Sequence, residues 1–264
     1  DLVVKENIRG EEGTYVDITV LRGENAEETP LHVERRSIEV PTVEYQMLEN
    51  QVGYIYVTQF DEVTAKQFED AIDDLEDQGM EKLVIDLRNN PGGVLDTAVE
   101  MLAYVLPEDK MDGMLVYTAD KNGEGDRYFC KDGKIQRESD DGSRDSRYPK
   151  EDDHELDVPL AVLVNGNSAS ASEVFTGAVM DYDAGIVVGT TTFGKGIVQN
   201  LIPLGDGTAI KLTTAHYYTP NGFDLHGKGL EPDVVVEMDG ELQKKAVVEL
   251  SEDNQLQAAI EAMN

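Results

Sequence analysis

Basic residues, cysteine and long apolar runs are all scarce in this sequence. Acidic residues outnumber basic residues 54 to 22 in a chain of 264, which gives a formal net charge of -32. A surface this acidic repels phosphate backbones and keeps a protein in solution, so the composition argues against nucleic acid as a partner. Cys130 is the sole cysteine. No internal disulfide can therefore form, and an unreactive thiol is expected.

The chain also lacks any stretch that could cross a bilayer. No apolar run approaches the roughly 18 residues that a membrane-spanning helix needs, and no signal peptide opens the sequence. The first residue is Asp rather than Met, which predicts a mature form or a piece excised from a longer protein. We therefore expect no membrane segment in these residues, while an export signal or anchor could have been removed.

Apolar periodicity predicts an α/β core. Hydrophobic residues make up 40% of the chain, which is enough for a packed interior. A strand pattern at 53–60 is followed by a helical pattern at 64–80, by the near-continuous apolar run KLVIDL at 82–87, and by a helix at 94–106. This βαβα order is typical of a buried parallel sheet. Further strands are expected at 159–165, 185–189, 197–204 and 209–220, and further helices at 172–182 and 254–264.

Two segments differ in character from this core, one that precedes it and one that interrupts it. Residues 1–40 predict a short helix that ends at Gly10 and two strands, a unit too small for a core of its own. Residues 120–157 are strongly charged. A hairpin is expected where they begin, and a solvated, mobile loop from about 136 to 156.

Three serines alternate with alanine in the segment NGNSASASEVFTGA, at Ser168, Ser170 and Ser172. They follow a predicted strand and precede a predicted helix, where free N–H groups and the helix dipole could stabilise an oxyanion. Capping explains the same residues equally well, because Ser170 and Glu173 form an S-x-x-E capping box and Ser168 could be the N-cap. The residues alone do not decide which serine is a nucleophile.

A nucleophilic serine needs a base, and Lys195 in TFGKGIVQ is one candidate. Lysine acts as a base only when its ammonium is destabilised, which an apolar, glycine-lined turn could achieve. In a strand Lys195 and Gln199 would share a face, so the Gln199 amide could orient the amine. His216 and His226 leave a Ser-His-Asp triad open as the alternative.

The segment LRNNPGG at 87–93 follows the buried strand KLVIDL. Adjacent glycines allow a substrate or another backbone to approach closely and leave N–H groups exposed. A plain turn is the simpler interpretation. A phosphate-binding loop is disfavoured, because the arrangement G-x-x-x-x-G-K-[ST] is missing.

Taken together, LRNNPGG at 87–93, SASASE at 168–173 and GTTTFGKGIVQ at 189–199 resemble the carboxyl-terminal processing peptidases, or tail-specific proteases. The three motifs occur in the family's order. The likeness continues through IKLTTAHYYTPNG and HGKGLEPDVVVE, and it covers roughly residues 45 to 240 apart from the charged segment near 136–156.

The resemblance implies a serine endopeptidase with a Ser–Lys dyad and no cofactor or metal. Ser170 would be the nucleophile, Lys195 the general base and Gln199 its support. The oxyanion hole would use a backbone amide of Gly92 or Gly93 together with that of Ala171. The implied reaction is acyl transfer through an acyl-enzyme, on unfolded or C-terminally tagged proteins.

The resemblance also implies an architecture. Residues 41–264 would form the α/β peptidase core, a crotonase/ClpP-like ββα fold, and residues 1–40 the C-terminal remnant of a PDZ domain. Protein or peptide substrates are the implied partners, with a homo-oligomer as a possible assembly. The implied location is extracytoplasmic, membrane-anchored in the full-length protein. A catalytically silent peptide-binding module and a crotonase-like acyl-CoA enzyme are the alternatives.

Overall fold

The computed structural model divides the chain into two compact units, Asp1–Val40 and Pro41–Asn264. The residues that the structure describes are 7–23, 26–37, 39–106, 113–131, 134–149, 156–205, 207–245 and 248–264. Each unit is described by itself.

The first unit is an antiparallel hairpin of β1 (Tyr15–Arg22) and β2 (Glu27–Glu34). The half-buried positions of β1 are Val16, Ile18 and Val20, which alternate with exposed residues as the sequence predicted. The predicted helix over 1–10 lies mostly outside the described residues. That this unit is a PDZ remnant stays a prediction.

The second unit mixes parallel and antiparallel sheets with helices. In chain order its elements are β3 (Val43–Met47), β4 (Val52–Val57), α1 (Thr64–Asp77), β5 (Lys82–Asp86), α2 (Leu95–Val105), β6 (Gly113–Ala119), β7 (Asp126–Lys131), β8 (Lys134–Ser139), β9 (Arg144–Pro149), β10 (Leu160–Val164), α3 (Ala171–Asp181), β11 (Ile186–Gly189), β12 (Ile197–Pro203), β13 (Ala209–Tyr218), β14 (Val234–Val235) and α4 (Asn254–Ala262). The predicted α/β class is confirmed.

The central sheet has the order β14-β11-β10-β5-β4-β3, and every neighbouring pair is parallel except β3 with β4. The central strands β5 and β10 are buried on both faces, because alternate residues of each enter different apolar clusters. Leu83 and Ile85 pack with residues of α1, α2 and α3, whereas Val84 packs with α4 on the opposite face. No helix within the described residues is long and apolar enough to cross a membrane.

The second sheet corrects the prediction of a mobile loop from 136 to 156. It is antiparallel, with the order β12-β13-β6-β7-β8-β9, and β8 and β9 occupy much of the supposed loop. Charge misled the prediction because the charged side chains pair between strands: Arg137 Nη2 lies 2.6 Å from Asp126 Oδ2. Residues 150–155 of the predicted loop lie outside the described part of the chain.

Candidate active site

Two turns meet at one edge of the central sheet. The turn 87–93 follows β5, and the segment 165–170 follows β10, its parallel neighbour. Ligands of open α/β sheets bind at this carboxyl edge, where the loops of adjacent strands converge. The turns are joined directly, because Ala169 N donates to the Asn90 carbonyl at 3.0 Å and Asn89 N donates to Asn165 Oδ1 at 3.0 Å.

The three alternating serines have different environments. Ser168 Oγ donates to the Leu87 carbonyl at 2.7 Å, and Ser172 Oγ donates to the Asn90 carbonyl at 3.0 Å. Both side chains are fully buried. Ser170 is half-buried. The outer two hydroxyls are therefore used to hold the turn 87–93, and only Ser170 faces accessible space.

Ser170 also has an unusual backbone. It is the N-cap of α3 with φ 58° and ψ -115°, a conformation that non-glycine residues rarely adopt. Such strain costs on the order of 1–3 kcal/mol and persists where the surroundings impose it, often at functional sites. Ser170 forms a capping box with Glu173, as its S-x-x-E pattern suggested. Ser170 therefore caps α3 and also carries an accessible hydroxyl on a sharp turn between strand and helix.

Two backbone amides of these turns have no partner among the described residues: that of Ala171, which follows Ser170, and that of Gly93, which follows Gly92. Gly92 is different, because its N–H donates to Asn90 Oδ1 at 2.9 Å. Gly92 instead allows its turn to approach Ser170 closely. Its φ is 93°, and a Cβ on it would lie 2.7 Å from Ser170 Cβ. Of the two glycines, only Gly93 has an N–H free to receive a ligand oxygen.

Lys195 lies on the loop between β11 and β12, two residues before β12 begins. The argument that it shares a strand face with Gln199 therefore does not apply. Its side chain is half-buried, and its backbone N–H donates to Glu173 Oε2 at 2.8 Å. Within the described residues, no hydrogen bond joins Lys195 Nζ to Ser170 Oγ. The structure brings the two segments together without closing the dyad.

Gln199 and the histidines have partners other than Ser170. Gln199 is exposed on β12, and its amide donates to Thr213 Oγ1 at 3.4 Å rather than to Lys195. His216 and His226 contact each other edge to face, with ring centroids 4.9 Å apart, and His216 Nδ1 lies 3.5 Å from Asp224 Oδ2. Neither ring is hydrogen-bonded to Ser170 in the part of the chain that the structure describes.

Glu173 joins the serine turn to the lysine loop. Its carboxylate is fully buried and accepts from four groups. Oε2 accepts from Ser170 N at 2.9 Å and from Lys195 N at 2.8 Å, while Oε1 accepts from Gly194 N and Thr192 Oγ1, both at 2.6 Å. The sequence marked Glu173 only as a capping residue, because three of its donors are about 20 positions away along the chain.

Arg88 ties the turn 87–93 to the C-terminal helix. Its Nη2 donates to Asp86 Oδ2 at 2.6 Å and to Asp253 Oδ2 at 2.7 Å, and its Nη1 donates to Gln255 Oε1 at 2.9 Å. The Tyr54 hydroxyl donates to Asp86 Oδ2 at 2.7 Å. Asp253 is the N-cap of α4. The base of the turn is thus anchored by a buried polar network.

The network shifts the pKa values of its members. Burial acts to lower the pKa of Arg88, but hydrogen bonds and charges from Asp86 and Asp253 outweigh it and raise that pKa. Burial and the Asp86 carboxylate raise the pKa of Tyr54, which remains a hydrogen-bond donor.

A cavity of about 690 Å³ opens beside the network, with Arg88 and Asp253 in its lining and Ser170 outside it. Among the described residues, no cluster of His, Cys, Asp and Glu is arranged to hold a metal ion.

Comparison with known sequences agrees with this geometry. The profile of Peptidase family S41 matches residues 51–236. The chain is 39% identical over 237 residues to a probable CtpA-like serine protease of Staphylococcus aureus, an alignment that covers 90% of this chain and 43% of that protein. A Staphylococcus haemolyticus protein of the same description is 38% identical over 236 residues, covering 89% and 42%. The chain therefore belongs to peptidase family S41.

Comparison with solved structures agrees with the sequence matches. The photosystem II D1 C-terminal processing protease has a TM-score of 0.61 at 28% identity, covering 92% of this chain and 59% of that one. A putative S41 protease from Bacteroides fragilis has a TM-score of 0.64 at 17% identity, covering 98% and 69%, and supports the fold alone. The resemblance drawn from the three motifs is confirmed. The chain spans less than half the length of the curated relatives.

Proposed function

We propose that this chain is the peptidase core of a serine endopeptidase that cleaves unfolded or C-terminally tagged proteins through an acyl-enzyme. The observation that carries the proposal is the setting of Ser170. Its hydroxyl is accessible on a strained turn at the N-terminus of α3, beside the free amides of Ala171 and Gly93. A nucleophile next to two unpaired N–H donors is the arrangement that acyl transfer needs.

Lys195 is the proposed general base. Glu173 Oε2 accepts from the backbone N–H groups of both Ser170 and Lys195, which keeps those two nitrogens within about 6 Å of each other. A lysine side chain is long enough to cross that distance. A side-chain rotation of Lys195 would then bring its amine to Ser170 Oγ, consistent with catalytic hydrogen bonds that tighten only when substrate binds.

The proposed reaction proceeds in two halves. Neutral Lys195 accepts the Ser170 proton while Oγ attacks the scissile carbonyl, and the amides of Ala171 and Gly93 stabilise the oxyanion. The lysine ammonium then protonates the leaving amine as the C–N bond breaks, which leaves the acyl group on Ser170. Water attacks this ester while the Lys195 amine takes its proton, and the resulting ammonium returns that proton to Ser170 Oγ as the ester C–O bond breaks and the peptide acid is released. Gln199 would support Lys195 only after its amide leaves Thr213.

The wider architecture belongs to the same proposal. We place residues 41–264 in a crotonase/ClpP-like fold, residues 1–40 in a PDZ remnant, and the full-length protein outside the cytoplasm with a membrane anchor. Protein substrates follow from the family, and C-terminal processing follows from the name of the D1 protease. We propose a homo-oligomer as the assembly of this protein. A silent binding module or an acyl-CoA enzyme would have no need of both Ser170 and Lys195.

The decisive experiment identifies the acylated residue. Intact-mass and peptide-level mass spectrometry after treatment with an activated peptide ester should show one acyl group, on Ser170, and none in Ser170→Ala. Ser168→Ala and Ser172→Ala are matched controls in the same segment and should still be acylated. An acyl group on another residue, or equal labelling of Ser170→Ala, would rule out Ser170 as the nucleophile. Turnover of an acyl-CoA with no peptide cleavage would favour the acyl-CoA enzyme.

Gly93→Ala tests the assigned oxyanion donor. Gly93 has φ 151°, and a Cβ on it would collide with the Phe60 carbonyl, so the turn must shift. We expect kcat to fall by about 10²–10³-fold, the usual effect of losing one oxyanion donor. Gly123→Ala is the control, because Gly123 also has positive φ but open space around it. Equal kcat values for the two variants would show that the Gly93 amide does not act on the oxyanion.

A further inference from the structure

We infer that Glu173 is a positioning residue, which sets the distance between nucleophile and base by binding both backbones with one carboxylate. The inference rests on the proposed function and adds to it a residue outside the Ser–Lys dyad. Glu173 is the third residue after Ser170, so it is fixed to the helix that presents the nucleophile. Lys195 lies on a separate segment and needs an independent connection to that helix.

The carboxylate provides this connection from a buried position. It is 0% exposed and accepts hydrogen bonds from three backbone N–H groups and one hydroxyl. An ionised carboxylate only accepts hydrogen bonds, and all four of these contacts supply donors. Charge-assisted bonds of this kind are stronger than neutral ones and fix geometry more tightly.

The lysine loop is ordered around this carboxylate. Gly194 and Lys195 donate their N–H groups to its two different oxygens, so the backbone immediately before the Lys195 side chain is fixed in both position and orientation. Thr192 connects this carboxylate to a further segment, because its hydroxyl donates to Glu173 and also accepts from Leu230 N at 2.8 Å. A direct backbone bond also joins the two segments, from Phe193 N to the Ser168 carbonyl at 3.0 Å.

Glutamine is the sharpest substitution at this position. Glu173→Gln keeps the shape of the side chain, but its NH2 group is itself a donor and must face donors that a carboxylate oxygen accepts in the wild type. Glu173→Asp keeps the charge and shortens the reach by one methylene, so the cap on α3 can persist while the bonds to Gly194 and Lys195 lengthen. For both variants we expect kcat to fall about 100-fold with KM within threefold of wild type, since misplacement by about 1 Å can cost 10²-fold.

The test is steady-state cleavage of an unstructured protein by the full chain, with hydrogen exchange measured alongside. Thr176→Val is the matched control, because Thr176 carries a buried hydroxyl on the same helix and donates it to the Ser172 carbonyl of that helix at 2.8 Å. Its kcat should stay at the wild-type value. Exchange of the Gly194 and Lys195 amides should accelerate in both Glu173 variants and not in Thr176→Val.

The outcomes separate this inference from the proposed function. Glu173→Gln and Glu173→Asp with kcat within threefold of wild type, alongside an inactive Ser170→Ala, would overturn the positioning role alone. A kcat loss in Thr176→Val equal to that in the Glu173 variants would also overturn it. Wild-type activity in Ser170→Ala would overturn the proposed function itself. If Glu173→Gln does not fold, the result with Glu173→Asp decides.

Discussion

Lys195→Met will lower kcat/KM by at least about 10⁴-fold while the chain remains folded. Methionine has nearly the length of lysine and fills a half-buried site, but it cannot accept the Ser170 proton. Removing one member of a nucleophile–base unit typically costs this much, because the remaining groups cannot activate the hydroxyl. Cleavage of an unstructured protein, followed by fluorescence or gel, measures the loss.

The pH dependence of the wild-type cleavage rate is a second test of Lys195 as the general base. Only the neutral amine accepts a proton, so the rate should rise as the pH is raised. Lys211→Met is the control, because Lys211 is an exposed lysine on β13. It should retain wild-type kcat and the same pH profile. Full activity in Lys195→Met would exclude the lysine as base and turn attention to His216 and its partner Asp224.

The serine motif shows what a sequence can and cannot decide. Its position between a strand and a helix was predictable from apolar runs and the S-x-x-E pattern. The choice among the three hydroxyls was not, because it depends on the distant carbonyls of Leu87 and Asn90. These carbonyls accept the hydroxyls of Ser168 and Ser172 and leave Ser170 accessible. The three serines are alike in local sequence, and they differ in environment because of how the two turns pack.

The wider role of Glu173 and the strands within the predicted loop were missed for the same reason. Glu173 looked like an ordinary cap, since local spacing reveals its bond to Ser170 N and says nothing of Gly194 or Lys195. The segment 136–156 looked like a solvated loop because it is charged, and its local sequence does not show that Arg137 pairs with Asp126. In both cases the partners come from other segments, and the pairing becomes visible only when the sheet forms. The parallel strands were predictable because a strand that is buried on both faces has a near-continuous run of apolar residues in its own sequence.

Arg88→Met will lower the free energy of unfolding by about 3–5 kcal/mol. Arg88, Asp86 and Asp253 are almost fully buried, and methionine would leave two carboxylates in the interior without their cation. Breaking a buried pair by removing one partner has this cost, since the remaining charge has lost both its water and its partner. Urea unfolding, monitored by circular dichroism, measures the change through the midpoint at constant slope.

Arg127→Met is the matched control for that measurement. Arg127 pairs with Asp140 at 2.5 Å, but both side chains are at least one-third exposed, so we expect a loss below about 1 kcal/mol. The triple variant Arg88→Met, Asp86→Asn, Asp253→Asn should regain part of the stability, because it removes the uncompensated charges. An Arg88→Met loss no larger than that of Arg127→Met would mean that water reaches the network. The C-terminal helix would then not anchor the turn that carries Gly93.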